Sequence, residues 1–206
     1  MSAAAGSEET RRAPHPLAES RACPCTLSRT TRWLHGIVAL AVLGMLASGY
    51  ALATLPSGPD KSALVQLHKS FGMLVLAAAL ARLIWRIREG WPAPLASHRP
   101  LERLAATGLH AVLIAATLAM PLSGIGRSLA YARPVAVFGW PVIPQIITRK
   151  HEAWSAAFSS LHDGLALVLA AAIGLHVLAA LKHHLVDRDE TLRRIVGLSP
   201  RPERGR

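Results

Sequence analysis

Four long apolar runs, separated by polar breaks rich in proline and glycine, organise this chain. They cover about Trp33 to Leu55, Leu64 to Trp85, Leu104 to Ile125 and Ser159 to Leu181. Each is close to the ~20 residues an α-helix needs to cross a bilayer core. Strict apolar–polar alternation is absent, and spanning strands would have to close into a barrel, so strands are not expected. Alanine, glycine and serine recur within the runs, and small residues let membrane helices approach closely. The pattern predicts an all-α fold, a transmembrane four-helix bundle.

The breaks carry helix-stopping chemistry. Pro56-Ser57-Gly58-Pro59 parts the first run from the second, and Trp91-Pro92-Ala93-Pro94 parts the second from the third. The connection from Gly126 to Lys150 holds Pro134, Pro141 and Pro144. It is too long for a simple turn and is predicted to cap one face of the bundle. Pro121 lies inside the third run, where a kink is expected. Residues 1–28 lack a periodic apolar face and read as a disordered extension. Residues 29–197 form the predicted membrane domain, and 198–206 a tail. No apolar core precedes a small-residue cleavage site, so no secretory signal is expected. No internal repeat is read.

Composition sharpens the class. Charged residues are 17% of the chain, below the ~25% usual for soluble domains. The formal net charge is +11. Its arginines stand at the ends of apolar runs and are not interleaved with aromatics, so a membrane surface is the expected partner and nucleic acid is not. With the N-terminus inside, inner segments hold most of the Lys and Arg. The outer connections hold only Lys61, Lys69, Arg127, Arg133, Arg149 and Lys150. That bias, roughly threefold, predicts both termini in the cytoplasm. Trp33, Trp85, Trp91, Trp140 and Trp154 all fall near expected interfaces. Cys23-Pro24-Cys25-Thr26 lacks the spacing for covalent haem attachment, and two cysteines make no disulfide framework.

Ionisable residues inside membrane helices are costly and default to function. His35 falls near the inner end of the first helix and His68 near the outer end of the second. On the fourth helix His162 is outer and His176 inner. Fourteen residues separate those two, so they share a helix face about 21 Å apart along the axis. His35 can then face His176, and His68 can face His162, at two depths. Two imidazoles opposed across one iron make a six-coordinate b-type haem suited to electron transfer. Two haems are therefore expected, with iron held by His35, His68, His162 and His176. A single membrane histidine is more often a packing residue; four at two matched depths are harder to explain so.

Neighbouring residues have open roles. Arg82 follows His68 by fourteen residues and either meets a haem carboxylate or snorkels. His110 either contacts a haem propionate or a quinone, or makes a structural hydrogen bond. Asp163 is either a partner of His162 or a polar residue in a wet outer vestibule. His151 is a candidate proton acceptor in the outer connection. His183 and His184 read as interface residues at a helix C-terminus. Gly36, Gly72, Gly164 and Gly174 are expected to leave room for a flat ring. A histidine-lined metal transporter is the rival from another class. Its sites usually cluster at the midplane between repeats, a pattern not read here.

These residues resemble the bacterial cytochrome b561 family of four-helix dihaem membrane cytochromes. The resemblance runs through Arg32-Trp33-Leu34-His35, Leu67-His68-Lys69-Ser70-Phe71-Gly72 and Ala81-Arg82-Leu83. It continues through Gly108-Leu109-His110, Met120-Pro121-Leu122-Ser123-Gly124 and Phe138-Gly139-Trp140-Pro141. Leu161-His162, Gly174-Leu175-His176, His183-His184 and Leu192-Arg193-Arg194 complete it. It covers about Arg29 to Gly197; the N-terminal extension with Cys23 and Cys25 departs from it. The resemblance implies the same four haem ligands, and ubiquinone or another quinone as redox partner. Superoxide oxidation coupled to quinone reduction is one activity of the family. A cytochrome b subunit of a hydrogenase or formate dehydrogenase, docked to a redox partner protein, is the alternative it leaves open.

Overall fold

The computed structural model describes residues 27–91 and 100–198. Cys23, Cys25, His15 and His98, with most of the N-terminal extension and the end of the C-terminal tail, lie outside those residues. Four long helices dominate: α1 (Arg29–Thr54), α2 (Pro59–Glu89), α3 (Pro100–Ala130) and α4 (Glu152–Leu185). A short α5 (Thr191–Val196) follows. The chain is mostly helical, and α1 to α4 are each long and apolar enough to cross a membrane. It is a multi-pass helical membrane protein.

Every spanning helix outruns its apolar run by several residues. The helices have 26, 31, 31 and 34 residues, so at about 1.5 Å per residue they exceed the ~30 Å hydrocarbon core. The added turns are polar and carry their own caps. Ser28 Oγ accepts from Thr31 N at 3.1 Å and starts α1. Pro59 sits in the first turn of α2, where its missing N–H costs nothing. His151, a residue of the long connection, caps α4 by accepting from Trp154 N at 3.3 Å. α3 continues through Pro121.

Sequential helices are neighbours: α1 packs on α2, α2 on α3 and α3 on α4. Their shared core is a thin layer of Val38, Val42, Val75, Ala116 and Leu169. Large apolar side chains elsewhere point outward; Leu40 and Leu167 are each 75% exposed. In water such a surface would aggregate, whereas in lipid it is solvated.

The long connection does contain strands, contrary to expectation, but they do not span. β1 (Val135–Val137) and β2 (Trp140–Ile143) pair antiparallel. Between them Phe138 and Gly139 both have positive φ, 48° and 90°. That is the twist a two-residue hairpin turn demands, and glycine adopts it without strain. The hairpin docks on α2. Phe138 N donates to Ser70 Oγ at 2.9 Å, Lys69 Nζ donates to Pro134 O at 2.7 Å, and Phe71 meets Phe138 edge-on. It caps one end of the bundle, called here the hairpin end; the other, carrying the start of α1 and the end of α4, is the terminal end.

Candidate redox centre between two histidine levels

The interior histidines stand at two heights. At the hairpin end, His68 of α2 faces His162 of α4, with ring centroids 6.3 Å apart and planes at 71°. At the terminal end, His35 of α1 faces His176 of α4, at 6.4 Å and 83°. All four rings are half-buried. Leu169 lies midway between the two α4 histidines, and Val42 and Val75 occupy the corresponding positions on α1 and α2, so the apolar core layer separates the two levels.

Each helix serves both levels because a spacing of fourteen residues returns to within about 40° of the same face about 21 Å along the axis. α1 gives His35, then Ser48 and Gly49. α2 gives His68, then Arg82. α3 gives His110, then Ser123 and Gly124. α4 gives His162, then His176.

The hairpin-end pair is held by serines. Ser48 Oγ lies 2.8 Å from His68 Nδ1, and Ser123 Oγ lies 2.9 Å from His162 Nδ1. Asp163 is not the partner of His162. It pairs with Arg127 at 3.6 Å and lines the same cavity as His162. Two further glycines, Gly49 and Gly124, stand beside this pair. A Cβ on Gly49 would stand 3.7 Å from His68 Cε1, and one on Gly124 would stand 3.2 Å from His162 Cε1. Gly72 instead meets Met45, and Gly36, Gly164 and Gly174 meet nothing within 4 Å.

The hairpin-end level opens into a cavity of about 920 Å³ lined by residues of all four spanning helices. His68, His162, Met45, Gly49, Met120 and Gly124 are among the residues that line it. Lys61, Lys69, Arg127 and Arg133 also line it.

The terminal-end level is built differently. Arg82 Nη2 lies 3.3 Å from His35 Nδ1. His110 is exposed, its ring edge-on to His176 at 5.3 Å. The three histidines and Arg82 thus come together. Thr31, Trp85, Arg86 and Glu89 form a polar network at the same end. Trp85 Nε1 donates to Thr31 Oγ1 at 3.1 Å, Thr31 Oγ1 donates to Glu89, and Arg86 pairs with Glu89 at 3.0 Å. His183, read from the sequence as an interface cation, lies between Asp187 and Asp189, at 2.8 and 3.1 Å.

Comparison with known proteins agrees with this architecture. A sequence profile described as prokaryotic cytochrome b561 matches residues 26–198. Cytochrome b561 homolog 2 of Escherichia coli is 37% identical over 84% of this chain and 90% of its own length. Cytochrome b561 homolog 1 of the same organism is 28% identical over 82% of this chain and 96% of its own. A Yersinia pestis protein named as a probable superoxide oxidase is 29% identical over 63% of this chain and 73% of its own.

Proposed function

Since the chain belongs to the prokaryotic cytochrome b561 family, a membrane electron-transfer protein with b-type haem, we propose that it binds two haems, one per histidine level, and exchanges their electrons with a quinone. The observation that carries this reading is the matched separation of the two histidine pairs, 6.3 and 6.4 Å between centroids. An imidazole nitrogen binds a first-row transition metal at about 2 Å, so two rings on opposite faces of one iron have centroids roughly 6 Å apart. Both pairs fit that requirement.

Haem would supply a one-electron iron centre at each level, held by the two imidazoles there. The residues of the chain do the rest. His68 and His162 grip from α2 and α4, and His35 and His176 from α1 and α4. Gly124 and Gly49 keep the α3 and α1 backbones close to the hairpin-end rings. Arg82 offers a guanidinium suited to a haem carboxylate, and His110 a ring edge for a propionate or a quinone oxygen. The apolar layer around Leu169 excludes water between the levels.

One observation favours superoxide as a donor at the hairpin end. Lys61, Lys69, Arg127 and Arg133 line the cavity that reaches His68 and His162, and a cationic cleft concentrates a small anion. The net reaction converts two superoxide ions, one quinone and two protons into two dioxygen molecules and one quinol. The excess of Lys and Arg in the terminal-end segments supports both termini in the cytoplasm. With Cys23 and Cys25 replaced by serine, a cysteine introduced at Gly139 should then react with an impermeant reagent in intact cells; reaction only after lysis contradicts that orientation.

The direct test is purification after haem-replete expression, with haem counted per chain and a dithionite-reduced minus oxidised spectrum recorded. The reading predicts two haems, a b-type band, and reduction of both centres by added quinol. A colourless protein, or haem that quinol does not reduce, contradicts it.

A further inference from the structure

A five-residue pattern occurs twice: Met45-Leu46-Ala47-Ser48-Gly49 on α1 and Met120-Pro121-Leu122-Ser123-Gly124 on α3. Both copies do the same thing. Each serine Oγ meets Nδ1 of the histidine on the following helix, Ser48 with His68 and Ser123 with His162. Each serine hydroxyl also donates to the methionine carbonyl three residues back, at 3.0 Å to Met45 and 2.6 Å to Met120. Each glycine lies under the Cε1 edge of the same imidazole. The histidines themselves are on α2 and α4, so each serine–glycine unit pairs one helix with the next.

The proton count follows from this geometry. A hydroxyl has one proton and two lone pairs. With the proton given to the methionine carbonyl, Oγ faces the ring as an acceptor, so Nδ1 must be the donor. A neutral imidazole protonated at Nδ1 carries its free lone pair on Nε2. Were the hydroxyl to donate to Nδ1 instead, the proton would sit on Nε2 and block it. At the terminal end the neighbour of Nδ1 is a guanidinium and not a hydroxyl: Arg82 Nη2 lies 3.3 Å from His35 Nδ1.

We propose that the two Met-x-x-Ser-Gly turns are histidine-orienting cradles, which fix the Nδ1–H tautomer of His68 and His162 and hold down the reduction potential of the hairpin-end haem. The proposal rests on the reading of those histidines as iron ligands. A ring that donates Nδ1–H to an oxygen pushes more electron density to Nε2, and a more basic ligand favours the oxidised iron. Ser48 and Ser123 are positioning residues: they act through the imidazoles.

The test is a spectroelectrochemical titration of purified holoprotein carrying Ser48→Ala, Ser123→Ala or Ser48→Thr, with haem counted in each. The centre concerned is the one that disappears in His68→Ala. Either alanine variant should favour reduction of that centre about tenfold, about 59 mV for one electron, while the other centre stays put. Ser48→Thr keeps an Oγ and should return the potential toward wild type. Two haems with unmoved potentials in both alanine variants overturn the cradle and leave the haem reading intact. A shift confined to the other centre overturns it too. Wild-type protein without haem overturns both.

Discussion

Ser123 Oγ stands 2.9 Å from His162 Nδ1, and it does so from the helix before the one that carries the histidine. The contact to His162 thus comes from α3, whose own histidine, His110, lies at the opposite level. Neighbouring helices therefore share the work at each height, and damage on one helix should register on a centre nominally held by others.

Gly124 and Gly49 should differ in sensitivity. A Cβ at Gly124 would sit 3.2 Å from His162 Cε1, closer than ordinary contact, whereas one at Gly49 would sit 3.7 Å from His68 Cε1. Gly124→Ala should push the ring by a few tenths of an ångström and shift or weaken the hairpin-end haem, while Gly49→Ala leaves it in place. Haem content and the reduced band of each variant decide this. Equal effects from both would show that ring clearance is not what separates them.

Arg82 should tune the terminal-end centre alone. Its guanidinium lies 3.3 Å from His35 Nδ1, and a nearby cation favours the reduced iron. Arg82→Gln should lower that centre's midpoint by the equivalent of about 1 kcal/mol, roughly 40 mV for one electron. Potentiometric titration reads both centres at once; an unchanged terminal-end midpoint would remove Arg82 from the haem's surroundings.

Gly126 is required for helix packing and not for chemistry. A Cβ there would meet the Phe158 ring at 2.5 Å, so α3 and α4 could not keep their present approach. Gly126→Ala should destabilise the protein by about 1–3 kcal/mol. Thermal unfolding in detergent, followed by loss of helical signal, measures it. An unaltered midpoint temperature would mean that Phe158 moves aside freely.

The helices and the histidine levels were legible in the sequence because both follow from length and period. An apolar run near twenty residues has few other solutions, and a fourteen-residue histidine spacing on one helix sets two depths on one face. The supports were harder to read. Ser48, Ser123, Gly49 and Gly124 belong to residue types common throughout membrane helices, so each alone resembles ordinary packing. The signal that could have found them was the repeated Met-x-x-Ser-Gly, placed thirteen and fourteen residues after His35 on α1 and after His110 on α3. The hairpin was missed because its strands are too short for alternation to be counted, although Phe138-Gly139 at its turn was visible.

The most direct test of the two-level scheme is the haem count in four single variants: His35→Ala, His68→Ala, His162→Ala and His176→Ala. The scheme predicts two classes. His35→Ala and His176→Ala should lose one and the same centre, and His68→Ala and His162→Ala the other, each keeping one haem with its band and potential unchanged. Loss of the same centre in His35→Ala and His68→Ala, or retention of both haems in any of the four, would contradict it.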